Sequence, residues 1–142
     1  MSNKTFALLN VIDHHDQRYD TAGDWIVYPG SNLVIKVSDT GNADYNFLIM
    51  IHELVEAYRC LREGVSQYEV DKFDIEFEAN RKKDDLSEPG DSPDAPYHRQ
   101  HVDATAVEKL VAEQLNINWE MYEECVNSLY YPKTQSGNDH GE

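Results

Sequence analysis

The chain of 142 residues and 16.4 kDa has the length of one ordinary domain and can bury a genuine core. Lys and Arg number 12 against 27 Asp and Glu, and the resulting net charge of −15 argues against nucleic acid as a ligand, because phosphate-binding surfaces cluster basic side chains. Two cysteines, Cys60 and Cys125, are too few for a disulfide framework or a Cys-rich zinc module and fit a reducing cytoplasm. The N-terminal apolar run ends by Asp13, too short for a membrane span, so the expected protein is cytoplasmic with no membrane partner.

Residues 4–12 are largely apolar and read as a first strand, followed by the polar loop DHHDQRYDTAGD. Residues 25–28 and 33–37 read as a hairpin across Pro29-Gly30, whose order suits a type II turn. Leu33, Ile35 and Val37 alternate with Lys36, the pattern of a half-exposed strand. A long helix starts near Asn42 to Asp44 and ends at Gly64. Ser66 and Glu69 form a capping box, with Val65 and Val70 as a staple, for a second helix running to about Arg81 along Val70, Phe73 and Phe77. Residues 81–96, RKKDDLSEPGDSPDAP, make a loop long enough to suggest a functional or disordered segment. A third helix follows to about Leu115, with Val102, Ala106, Val107, Leu110 and Val111 as its expected buried side. Asn118 caps a fourth through Trp119, Tyr122, Val126 and Leu129, and the tail at 132–142 reads as disordered. The expected architecture is a single α+β domain over 4–131, a small antiparallel or mixed N-terminal sheet packed on three to four helices.

The chemistry concentrates at 52–56, HELVE, inside the most apolar stretch of the chain. His52 and Glu56 lie one turn apart on one helix face, so both can address a common atom. Buried ionisable groups need partners or a metal, and His with carboxylate suits a divalent cation such as zinc. The alternative is a hydrogen-bonded His52–Glu56 pair holding a neighbouring helix without metal. A catalytic zinc takes three protein ligands, so a third must come from elsewhere among six histidines. His14 and His15 sit side by side in a loop and His140 in the tail. His101 is favoured because it shares an inward stripe with Thr105 and Glu108, while His98, nearer the loop, is the alternative. In a helical motif with His first and Glu second, the Glu serves as general base on metal-bound water, a role that falls to Glu53. Asp74, interrupting an apolar stripe, is a candidate to orient one of the histidines. Tyr45, Tyr58 and Tyr97 are candidate oxyanion donors.

HELVE resembles the active helix of zincin-type metallopeptidases, whose motif is HExxH, with Glu56 in place of the second His. Strands before the active helix and a later helix bringing another ligand are also similar to minimal zincin folds. The resemblance covers about 25–64, with 97–111 as a second block, and implies a zinc-dependent hydrolase, most naturally a peptidase, with His52, Glu56 and His101 as ligands and Glu53 activating water. The wider pattern, from GDWIVYPGSNLVIKVSDTG through HELVEAYRC to PYHRQH, looks like small uncharacterised phage or prophage proteins. Two other functions fit the composition: a non-catalytic metal-binding module, zinc or another transition metal, and an acidic protein that blocks a basic surface on a host partner.

Overall fold

The computed structural model describes residues 4–29 and 32–131. Gly30 of the turn expected at Pro29-Gly30 and the tail expected at 132–142 fall outside the described residues. The protein is α+β, with a three-stranded mixed sheet and four α-helices. Strand β1 (Ala7–Ile12) runs parallel to the central strand β3 (Leu33–Ser38), and β2 (Gly23–Val27) pairs antiparallel with β3 as the expected hairpin. The register sets Leu9 and Trp25 on either side of Ile35, so all three occupy one face. Both faces of β3 are covered, which corrects the half-exposed expectation. Beneath the second face, Gln17 donates to the Lys36 carbonyl and to Ser38 Oγ, and His14 Nδ1 lies 2.8 Å from the same hydroxyl.

Helix α1 (Ala43–Glu63) starts at Asn42, whose side chain accepts the Tyr45 N–H, and stops at Gly64, where φ is 82°. A left-handed residue is needed there so that the Gly64 and Val65 amides can both return to the Cys60 carbonyl. The capping box at Ser66 and Glu69 opens α2 (Gln67–Ala79) as expected. Helices α3 (His98–Gln114) and α4 (Trp119–Asn127) follow, the latter capped by Asn118. α1 crosses β2 and β3 and lies along α3. Its inner side joins Ile35, Val37, Leu48, Ala57 and Cys60 in the core.

Helix α3 is turned away from the expected orientation. Val102, Ala106, Val107 and Leu110 face outward, Val111 is only partly covered, and the buried positions are Gln100, His101, Ala104, Glu108 and Ala112. Hydrophobic spacing misassigned this face because polar partners on α1 and α4 take up the inward polar side chains. No described helix is long and apolar enough to cross a membrane.

Candidate metal centre

His52, Glu53 and Glu56 on α1 and His101 on α3 converge in the interior, each no more than 9% exposed. His52 Nε2 lies 3.2 Å from Glu56 Oε2 and 3.2 Å from His101 Nδ1, and His101 Nδ1 lies 2.9 Å from Glu56 Oε2. The three atoms therefore make a nearly equilateral triangle. Each side chain is held from behind. His52 Nδ1 is 2.9 Å from Glu108 Oε1, and Glu108 also accepts the Tyr122 hydroxyl. His101 Nε2 is 3.1 Å from Asp91 Oδ1 and 3.1 Å from Glu88 Oε1. Trp25 Nε1–H donates to Glu56 Oε1 at 3.1 Å.

Those outer contacts assign the tautomers. Carboxylates behind His52 and His101 accept, so each ring, when neutral, carries its proton on the outer nitrogen and turns a lone pair inward. With both rings neutral, three acceptors face one another at hydrogen-bond distance with no donor among them. Mutual repulsion is relieved by a shared cation or by adding an inner proton to each imidazole. Burial opposes charge on His52, yet Glu108, Glu56 and Glu53 outweigh it and raise its pKa. Burial likewise opposes charge on His101, whose pKa is nonetheless pushed up to about 12 by Asp91, Glu56 and Glu88. Glu56, despite burial, is held down at about 2 by the two imidazoles. The pocket is built to hold positive charge.

Glu53 stands apart. Its carboxylate lies with ligand atoms of His52 and Glu56 inside a 4.8 Å group, but it takes part in no hydrogen bond among the described residues. Burial, then the neighbouring Glu56, raises its pKa. Gly23 of β2 makes room for it: a Cβ there would meet Glu53 Cγ at 2.6 Å and its carboxyl oxygen at 2.8 Å. Gly90 does the same for His101, since a Cβ would stand 2.5 Å from Nδ1.

The cavity beside these groups measures about 80 Å³ and is lined by nine Asp and Glu residues and two His, with no Lys or Arg. That volume exceeds the ~10–15 Å³ that one water needs, so it has room for an ion with its water. The 81–96 loop closes one side through a 3-10 turn at Pro89–Asp91, whose Asp91 and preceding Glu88 reach His101.

Of the two histidines left open by the sequence, His101 points into the centre and His98 does not. His98 Nδ1–H donates to the Gly90 carbonyl and so steadies the turn behind His101. Asp74 does not orient a histidine; it accepts from Tyr97 at 2.5 Å and Tyr19 at 3.1 Å. Glu108 and Asp91 have that orienting position instead. Sequence reasoning placed Glu108 on the inward stripe without a role, and it missed Trp25, Tyr122, Asp91 and the two glycines, none of which is near HELVE in sequence. Tyr58 is exposed, and Tyr45 packs on the Tyr122 ring. A separate Ser38–His14–Asp20 chain has the residue types of a nucleophilic triad, but Ser38 is fully buried and donates its proton to the Thr21 carbonyl. Compared with protein families, curated proteins and solved structures, the chain has no significant match, so its centre is read from its own geometry.

Proposed function

We propose that His52, Glu56 and His101 hold one divalent transition-metal ion, zinc by preference, and that the protein is a metal-dependent hydrolase of zincin-like type acting on an amide, most naturally a peptide. The triangle of inward acceptors carries this reading. In a tetrahedral site with bonds of 2.0–2.1 Å the ligand atoms stand roughly 3.3 Å apart, close to the edges of 2.9, 3.2 and 3.2 Å found here. Outer carboxylates on both imidazoles are the usual accompaniment of such ligands, because they fix the tautomer and raise ligand basicity. The ion, once bound, supplies a Lewis acid that lowers the pKa of a water to about 7.

The chain's own groups supply the rest. Glu53, without a hydrogen bond among the described residues and within the same 4.8 Å group as His52 and Glu56, is the side chain able to accept a proton there. Its raised pKa suits a group that takes a proton in one step and returns it to a leaving amine in another. Glu108 and Asp91 keep the imidazoles aimed, and Trp25 leaves Glu56 one oxygen for the ion.

A second reading rests on Glu88, which forms another group within 4.8 Å with His52 and His101. Were Glu88 to leave His101 Nε2 and turn to the remaining coordination position, the centre would be structural and the protein a non-catalytic metal-binding module. Metal analysis after zinc-replete purification tests both. One ion per chain, lost in His52→Ala, Glu56→Ala and His101→Ala, is expected; absence of a stoichiometric ion sinks the proposal. Glu53→Gln should keep the ion and abolish hydrolysis of a denatured-protein substrate. Retained metal with no hydrolysis even by Glu88→Gln favours the structural module.

A further inference from the structure

Strand β1 lies at the edge of the sheet, and among the described residues no strand pairs with its outer side. The Ile12 carbonyl accepts from Asp39 N–H at 2.7 Å, so by alternation Leu8, Asn10 and Ile12 address β3. The N–H and C=O groups of Ala7, Leu9 and Val11 then point away from the molecule. Their side chains are also poorly covered. Leu9 and Val11 sit beside Ile35 and Val37, which α1 buries completely, yet they remain 44% and 45% exposed because the helical layer stops over β3. Phe6, 63% exposed, leans on Tyr58 of α1 with ring centroids 5.7 Å apart.

The other edge is defended and this one is not. On β2, Val27 N–H donates to Gln67 Oε1 and Asp24 is held by Arg18. Edge strands are ordinarily blunted by Lys, Pro, bulges or inward charges. Residues 5–12, TFALLNVI, contain no charged residue and no proline, although the chain carries 27 acidic side chains. A second copy therefore meets least like-charge repulsion along this strand. The flanks are complementary: Lys4 precedes the strand, while Asp13 and Asp39 stand at its far end. An antiparallel approach brings each end of one strand to the opposite end of the other.

We propose that β1 pairs antiparallel with β1 of a second copy about a twofold axis through Leu9, giving a continuous six-stranded sheet. A twofold perpendicular to the sheet keeps odd residues opposite odd residues, so Leu9 faces its own counterpart and Ala7 faces Val11. These are the residues whose backbone groups face outward from the sheet. Lys4 comes beside Asp13 of the second copy. Both α1 helices fall on one side of the extended sheet, which covers the Leu9–Val11 ridge. The contact is isologous and closes at two subunits.

Sedimentation equilibrium of the full chain is expected to give twice the 16.4 kDa monomer mass. Leu9→Lys sets two ammonium groups against each other at the axis and should return the monomer mass with unchanged circular dichroism. Ile75→Lys, at a similarly exposed apolar position on α2, should leave the mass doubled. Leu9→Cys in a Cys125→Ser background should cross-link on mild oxidation, because hydrogen-bonded antiparallel pairs have Cα atoms about 5.5 Å apart, inside disulfide reach. A wild-type monomer at about 1 mM overturns the proposal, since micromolar association would be complete there. So does a dimer that survives Leu9→Lys, one that Ile75→Lys disrupts equally, or one in which Leu9→Cys fails to cross-link.

Discussion

Replacing Glu108 with Gln isolates the group behind His52 without opening a cavity. In the protein, Glu108 Oε1 accepts from His52 Nδ1 at 2.9 Å, and its second oxygen accepts the Tyr122 hydroxyl, with all three side chains buried. Gln offers a single carbonyl oxygen and turns an N–H₂ toward the other donor. Tyr122 can rotate its hydroxyl to accept that amide; His52 has no such freedom and loses a charge-assisted acceptor. Hydrogen bonds to charged groups are worth about 1.5–3 kcal/mol when buried, and at ~1.4 kcal/mol per decade the change should weaken zinc affinity by about 10- to 100-fold, the range typical of partners behind metal ligands. Competition against a chromophoric chelator at fixed pH measures it, with Glu120→Gln on the exposed side of α4 as control. Zinc affinity within about twofold of wild type, or an equal loss in the control, would refute the claim that Glu108 aims the His52 lone pair.

Gly23→Ala drives a methyl group into the Glu53 side chain, which supplies its three nearest atoms, so hydrolysis should fall by about 100-fold, a common worth of a general base, with metal content unchanged; loss of the ion together with activity would count against a separate role for Glu53. Saturating zinc at about 100 times its Kd should add ~2.7 kcal/mol to wild-type stability, raising Tm by about 5–10 °C for a chain of this size, and His52→Ala should erase the shift; a shift retained in the variant would place the ion elsewhere. Asp74 is pushed up from 3.8 to about 7, by burial first and despite the Tyr97 hydrogen bond. The native state thus keeps a proton that the unfolded chain releases, a contribution complete below about pH 4 and lost toward pH 7 at up to ~1.4 kcal/mol per pH unit. Urea unfolding of Asp74→Asn should accordingly show its stability relative to wild type improving from pH 4 to pH 7, and a difference flat with pH would dispose of the raised carboxyl.

Local signals were legible where one short segment contains the whole cause. The capping box at Ser66 and Glu69, the Asn42 and Asn118 caps, the Gly64 stop and the β2–β3 hairpin each depend on residues a few positions apart. The pairing of His52 with Glu56 is of the same kind, because helix geometry alone puts positions one turn apart on one side. His101 was reached through a helical stripe shared with Glu108, and both are buried in the structure.

What the amino-acid sequence by itself determined, then, was the set of elements and the α1 half of the centre. Tertiary structure decided the rest. Only packing of α3 along α1 shows that the inward face of α3 is the polar one, leaving Val102, Val107 and Leu110 outside. Only the fold brings Trp25 to Glu56 across 31 residues and Glu108 to His52 across 56. The physical reason is that hydrophobic periodicity records which side chains avoid water, whereas a buried charge is stabilised by partners at any sequence distance, and no local pattern encodes which partner that is.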